Sequence, residues 1–258
     1  MGAKIDGISI IGSGNVATHL ALAFDEHNIR ITHIFSRNNT TGYSLAKDIS
    51  AKFVESISQL PSNQLCIVCI PDDQLIEIIE DIPKGIPVAY TSGSVELDDV
   101  KSNNQLGVFY PLQTFSKNTE TDFHEVPILI EAKDHEFAST LFDLGCQISQ
   151  NVYYTNSKKR REIHLAAVWM NNFVNHCIFQ ATSICNEFEL DPKLLHPLLQ
   201  ETVRKAINND PSLIQTGPAR RGDVKTIKKH LEMQEGMRKE LYEKLTTSIG
   251  NIYKNDYL

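Results

Sequence analysis

The chain has 258 residues, 41% hydrophobic and 22% charged, which excludes a disordered segment and fits one large domain or two modest ones. Against 25 Lys and Arg stand 32 Asp and Glu, a net charge of −7 that disfavours nucleic acid as a partner. The longest apolar runs, Leu65–Ile70 and Leu165–Met170, are six residues long, whereas a membrane-spanning helix needs roughly 18.

An apolar strand is expected almost at once, at Ile8, with no charged segment and apolar signal region before it. The Met1-Gly2 start invites acylation, but Asp6 stands where Ser or Thr is required. The five cysteines form no disulfide framework. Cys66 and Cys69, three apart on a strand, point to opposite faces and cannot share a metal. Five reduced thiols in a cytoplasmic protein without a metal site are the expectation.

Along the first 150 residues, short apolar runs alternate with helical periodicity. Strands are expected at Ile8–Ile11, Ile31–Phe35, Ala51–Val54, Leu65–Ile70, Val88–Thr91, Val108–Tyr110 and Ile128–Ile130. Helices are expected at Asn15–His27 and Glu136–Leu144. This pattern predicts a parallel, doubly wound sheet with helices on both faces. After Tyr154 the strand signals stop. One helix is predicted from Ser157 to about Glu189, a second from the Asp191-Pro192 cap to about Asn208, and a third from Asp223 to about Asn251, with a loop over Pro211–Gly222. The fold class is therefore α/β: an N-terminal Rossmann domain, residues 1–154, followed by an all-α domain, residues 155–258. The basic run Lys158-Lys159-Arg160-Arg161 reads as a solvated first helical turn.

Gly12-Ser13-Gly14-Asn15-Val16-Ala17 fits G-x-G-x-x-G/A between a strand and a helix. Gly12 permits the tight turn, Gly14 the approach of a pyrophosphate, and Ala17 close helix–strand packing. The helix N-terminus offers free N–H groups to the anion. NAD enzymes end the second strand with an acid for the ribose hydroxyls. Here it ends in Ser36-Arg37-Asn38. Arginine pairs with a 2′-phosphate, so the expected cofactor is NADP, unless Arg37 is an ordinary surface residue.

With Thr91-Ser92-Gly93-Ser94, Tyr110-Pro111-Leu112, His164-Leu165-Ala166-Ala167 and Asn172, and Thr216-Gly217-Pro218 with Arg221-Gly222-Asp223, the chain resembles the Rossmann-like proteins carrying the C-terminal domain DUF2520. These are labelled NADP or coenzyme F420-dependent oxidoreductases. They are similar to the 6-phosphogluconate dehydrogenase superfamily, which includes pyrroline-5-carboxylate and ketopantoate reductases. The resemblance implies a cofactor site of Gly12, Ser13, Gly14, Asn15, Val16, Ser36, Arg37, Asn38, Ile70, Pro71, Thr91, Ser92 and Gly93. It implies substrate contacts from Ser94, Tyr110, Pro111, Thr216, Gly217 and Arg221. Two departures stand out. Tyr110 occupies a position where the family has histidine, and no lysine lies four residues before Asn171 or Asn172.

At 100° per residue, His164, Asn171 and Asn175 share one helical face, with Asn172 flanking it. This stripe is either a structural network or a pocket wall. As a pocket wall it makes His164 the proton donor, with Tyr110 as a second candidate, and Asn172 the residue that orients the substrate. Thr91–Ser94 is either a plain turn or a site at the strand ends. Arg221 either clamps a carboxylate or pairs with Asp223, which caps the last helix. The expected activity is hydride transfer between NADP(H) and a small anionic carbonyl or imine acid, in a homodimer joined by the helical domain. The alternatives are a non-catalytic NADP sensor and an F420-dependent enzyme.

Overall fold

The computed structural model describes residues 6–117 and 119–253; the Met1-Gly2 start lies outside them. The chain divides into two compact units, Met1–Asn172 and Phe173–Leu258.

In the first unit the elements run β1 (Ile8–Ile11), α1 (Asn15–Glu26), β2 (Ile31–Phe35), α2 (Asn39–Asp48), β3 (Lys52–Val54), β4 (Leu65–Val68), α3 (Asp72–Glu80), β5 (Val88–Tyr90), β6 (Leu106–Pro111), β7 (Ile128–Ala132), α4 (His135–Cys146), β8 (Val152–Tyr154) and α5 (Ser157–Ala167). The eight strands form one sheet in the order β3-β2-β1-β4-β5-β6-β7-β8. This is the doubly wound order, which reverses between β1 and β4. Strands β3 to β6 are parallel, with register pairs such as Ile10–Ile34 and Ile10–Ile67.

The edge beyond β6 departs from the sequence expectation. Strand β7 runs antiparallel to β6, and β8 adds a further strand parallel to β7. Strand β8 reads poorly because Tyr153 and Tyr154 are exposed rather than part of a buried run.

Alternation along the strands feeds two cores. Ile10, Leu20, Phe24, Ile34, Ile67 and Phe109 pack on one face, and Ile11, Val68, Leu75, Ile79, Val88 and Val108 on the other. Cys66 belongs to the second core and Cys69 to the first, the opposite-face placement that their spacing predicts. All five cysteines are free, and no group of metal-binding side chains occurs among the described residues. Among the described residues no helix is long and apolar enough to cross a membrane.

The basic run at the start of α5 is not wholly solvated. Asn156 caps the helix, accepting from the Lys159 N–H at 2.9 Å. Arg160, 0% exposed, pairs with Glu131 of β7 at 3.2 Å and lies over the Tyr90 ring. Ser157 donates to Glu131 at 2.7 Å and accepts from the Leu97 N–H at 3.0 Å. The charge run gave no hint of this because the carboxylate partner lies 29 residues earlier in the chain.

The predicted helix over 157–189 is interrupted by a π-helical turn at Val168–Phe173. The second unit contains α6 (Val174–Glu187), a 3-10 turn at Pro192–Leu195, α7 (His196–Asn208), α8 (Pro211–Ile214), α9 (Val224–Glu232) and α10 (Gly236–Ile252). The predicted third helix is thus two helices. Gly236 takes φ +58°, a left-handed conformation that ends regular helix geometry. Part of the predicted loop is the short α8. Helices α7 to α10 bury no residue, and α6 buries only Cys185.

Candidate active site

Because β2, β1, β4, β5 and β6 are parallel, the segments after them share one sheet edge. In spatial order these segments begin at Ser36, Gly12, Cys69, Thr91 and Leu112. Four inter-strand spacings cover about 19 Å. Doubly wound sheets bind ligands along this edge, at the strand-order reversal.

At that reversal Gly12 has φ +122°, and a Cβ there would lie 2.2 Å from the Cys69 carbonyl oxygen. The glycine is needed because β1 keeps its pairing with both neighbours into the turn: Gly12 donates to Phe35 of β2 at 2.8 Å, and Cys69, just after β4, donates to Ile11 at 2.7 Å. Gly14 differs. A Cβ there would meet nothing within 4 Å, so the space above this backbone is open. Gly14 caps α1 without a side-chain hydrogen bond, and the first turn carries no acid, which leaves its N–H groups and dipole for an anion.

A cleft of about 240 Å³ continues from Gly12, Ser13 and Gly14 past Ser36, Arg37 and Asn38 to Ile70 and Pro71. Arg37 is its one charged lining residue, and it is exposed. Ser36 is buried and bonded to Ser13 at 2.8 Å, and Ser13 to Thr41 at 2.6 Å, so the serines tie the loop after β1 to α2. Asn38 accepts from the Thr41 N–H at 3.1 Å and caps α2. Asn15 turns away to donate to the Phe115 carbonyl at 2.8 Å, which makes its side chain a brace for the 115–116 segment. Gln74, which the sequence reading passed over, lines the same cleft with a buried Oε1 that has no hydrogen-bond partner. An open glycine cradle, a lone cation and an unpartnered acceptor fit a phosphorylated dinucleotide.

Further along the edge, Thr91 donates through its N–H and its hydroxyl to the Val68 carbonyl, at 3.1 and 3.3 Å. Ser92 is buried and accepts from the N–H groups of Ser94 and Val95 at 3.1 and 3.0 Å. Its hydroxyl shapes the turn. Ser94 donates to the Asp72 carboxylate. At Gly93 a Cβ would lie 2.6 Å from His164 Nδ1 and 2.9 Å from Tyr110 Cζ, so the backbone passes against both rings.

The Tyr110 hydroxyl and His164 Nδ1 are 2.9 Å apart, with the rings edge to face at 6.0 Å. Burial, reinforced by the Asp72 carboxylate and opposed by Arg160, pushes the Tyr110 phenol above its ordinary 10.0. The phenol therefore keeps its proton and can donate it to Nδ1, which places a hydrogen on Nε2. Arg160 and His164 are four apart on α5 and share a face, so the buried Arg160–Glu131 pair fixes the helix that carries His164.

These two rings line a pocket of about 540 Å³. Its polar wall adds Gln113, Thr114, Asn171 and Asn172; its apolar wall is Leu112, Ile163, Ala166, Ala167, Val168 and Met170. Asn171 and Asn172 both reach it because the π-helical turn widens the face, as such turns do at functional sites. Asn175, expected on the same face, falls in the second unit. Pro111 is buried at the end of β6, and Val16 packs against the core.

Thr216, Gly217 and Arg221 also belong to the second unit. Gly217 has φ +105° and accepts from the Arg221 N–H at 3.3 Å. Asp223 caps α9 through the Thr226 N–H at 3.1 Å. Its carboxyl is held below the usual range by the Thr226 hydrogen bonds, with smaller contributions from Arg221 and His230.

This geometry has known counterparts. The domain of unknown function DUF2520 matches residues 126–249. A Bacteroides fragilis protein described as a "putative NADP oxidoreductase" is 34% identical, with a TM-score of 0.88 over 96% of this chain and 98% of that one. The chain belongs to the same family, the Rossmann-like proteins with a DUF2520 region. A Thermotoga maritima protein, 19% identical, superposes with a TM-score of 0.70 over 97% of this chain and 100% of that one. An imine reductase from Myxococcus stipitatus in complex with NADP+, 13% identical, gives 0.61 over 96% and 93%. These two show the shared fold. Among curated proteins none matches.

Proposed function

We propose that this chain is an NADP(H)-dependent oxidoreductase acting on a carbonyl or imine carbon. The observation that carries the reading is the cleft at the β1–β4 reversal. It joins an open glycine cradle to Arg37, has no carboxylate in its lining, and shares a sheet edge with the Tyr110–His164 pair. The NADP oxidoreductase description of the Bacteroides fragilis relative supports it.

Gly12, Ser13, Gly14, Asn15 and Val16 form the pyrophosphate turn, with Asn15 acting through its backbone. Ser36, Arg37 and Asn38 take the 2′-phosphate. Ile70, Pro71, Thr91, Ser92 and Gly93 border the ribose and nicotinamide, and Ser94, Tyr110 and Pro111 the substrate. The reduced nicotinamide supplies the hydride when bound. His164 Nε2 holds the proton destined for the substrate oxygen or nitrogen, Tyr110 fixes the tautomer through Nδ1, and Asn172 orients the substrate. For Thr216, Gly217 and Arg221, which lie in the second unit, a substrate role rests on the family resemblance alone.

The test is a thermal-shift titration with NADPH, NADP+, NADH and NAD+, since a ligand that binds the folded state raises apparent stability. The phosphorylated pair should give the larger shift, and Arg37→Ala should remove the difference. Equal shifts from all four in the unaltered chain would refute Arg37's role, and no shift from any would refute the cofactor.

A homodimer through the helical region belongs to the same reading. Its support is the exposure of large apolar side chains there, including Leu194 at 71%, Ile207 at 77% and Met237 at 75%. Light scattering on the purified chain tests it. Five free cysteines fit a reducing, cytoplasmic setting.

A further inference from the structure

We propose that the pocket beside Tyr110 and His164 takes an uncharged, largely apolar ketone or imine rather than a small keto or imino acid. The inference rests on the oxidoreductase reading and narrows its substrate class.

Its first ground is the lining. None of the twelve residues around the 540 Å³ pocket is Lys, Arg, Asp or Glu. Six are aliphatic or Met, and the polar ones are amides, a hydroxyl, the phenol and one imidazole. A carboxylate brought here would give up part of its hydration with no fixed cation in the lining to replace it. A guanidinium fork is what acid-specific sites use, and the guanidinium that acts on Tyr110, that of Arg160, is already committed. Arg160 is 0% exposed, paired with Glu131 and bonded to the Val95 carbonyl at 2.5 Å.

The second ground is electrostatic. The carboxylate that acts on Tyr110 is Asp72, held at the first turn of α3 by Ser94. A negative group on this side of the site repels an anionic substrate and leaves a neutral one unaffected.

Size is the third. Pockets between about 300 and 1,000 Å³ bury drug-sized ligands. A keto acid of a few carbons leaves most of such a volume to water, whereas a cyclic or branched ketone covers the Ile163, Val168 and Met170 side chains. Tyr110 and His164 meet at one place, where a single C=O or C=N can be held.

The experiment uses the full-length protein and a matched pair, 4-oxocyclohexanecarboxylate and its methyl ester, which differ in charge but share the reacting carbonyl. NADPH is titrated first by thermal shift. Each compound is then added to the NADP+-loaded protein for a further shift, and to the NADPH-loaded protein for turnover. The ester should give the larger shift and a kcat/KM at least about tenfold higher. Met170→Lys, which adds a cation to the apolar wall, should move the ratio toward the acid without changing the NADPH shift. An acid that binds or reacts as well as the ester overturns the proposal. So does silence from both compounds when NADPH itself gives a shift, and that result leaves the cofactor reading standing. No NADPH shift removes the underlying reading and the substrate class with it.

Discussion

The cleft at the β1–β4 reversal is assembled from residues 11–14, 35–38 and 69–78, short stretches at neighbouring strand ends, and its glycine cradle is backbone. The pocket further along the same edge joins Tyr110 to a helix 54 residues later, and its key groups are side chains brought together by packing. The first depends on where side chains are missing, the second on where they meet. The contrast predicts opposite responses to the same change, glycine to alanine. At Gly12 the added methyl strikes backbone, at Gly14 it meets open space, and at Gly93 it strikes two functional rings.

The largest effect is expected from Gly12→Ala. A Cβ 2.2 Å from the Cys69 carbonyl at φ +122° combines a clash with a conformation that L-residues avoid, and neither β1 nor β4 can yield. Stability should fall by about 4 kcal/mol, read by urea unfolding. Gly14→Ala should leave the unfolding curve unchanged and weaken NADPH binding. If both variants unfold alike, the cradle is not open as described.

Next comes Arg160→Met. It leaves Glu131, 12% exposed, without its cation and with only the Ser157 hydroxyl donating to it, and should cost about 3 kcal/mol. The comparison sharpens here because the pair anchors α5 and not the nucleotide cleft. Among folded molecules NADPH affinity should be preserved, while turnover falls as His164 loses its fixed place. An equal loss of both would mean that the two sites share one scaffold.

These outcomes also show which parts of the molecule are legible in the sequence. Gly12–Ala17 declares itself because the constraint is local: a strand, a turn that needs φ above zero, and a helix start fall within ten residues. Most strands read correctly for the same reason, each being a buried run of a few residues. Arg160 did not. Its neighbours Lys158, Lys159 and Arg161 are exposed, and only the fold brings Glu131 to it. Gln74 and Asp72 carry no local signal either, since both lie in an ordinary amphipathic helix. The π-helical turn leaves no mark in the sequence because 100° periodicity presupposes regular α-helix, the same assumption that sets Asn175 on one face with Asn171. Ser92 illustrates the reverse case: the turn reading open to it in the sequence is the role its hydroxyl takes.

Gly93→Ala is expected to have a smaller effect on the fold and a specific one on chemistry. The methyl meets His164 Nδ1 at 2.6 Å and Tyr110 Cζ at 2.9 Å, and side-chain rings can move where backbone cannot. The fold should survive, NADPH should still bind, and kcat should fall about a hundredfold, as displacements near 1 Å do. An unchanged kcat would separate the ring pair from the reaction.

The smallest effect, and the finest distinction, is Tyr110→Phe. It removes one hydrogen bond to Nδ1 and keeps the ring. If His164 Nε2 is the donor and Tyr110 only fixes the tautomer, the imidazole still reaches the substrate part of the time, and kcat should fall about tenfold. His164→Ala, which removes the donor, should cost far more. The pH profile separates the two roles further. Because the phenol is pushed above its ordinary 10.0, it stays neutral through the physiological range and loses its proton only beyond that value. An alkaline decline in the reduction rate caused by Tyr110 should therefore begin above about pH 10 and vanish in Tyr110→Phe. Should Tyr110→Phe instead match His164→Ala in severity, the phenol is the donor and the imidazole its support. The phenol would then be the group that passes the proton to the substrate, not the one that fixes the tautomer.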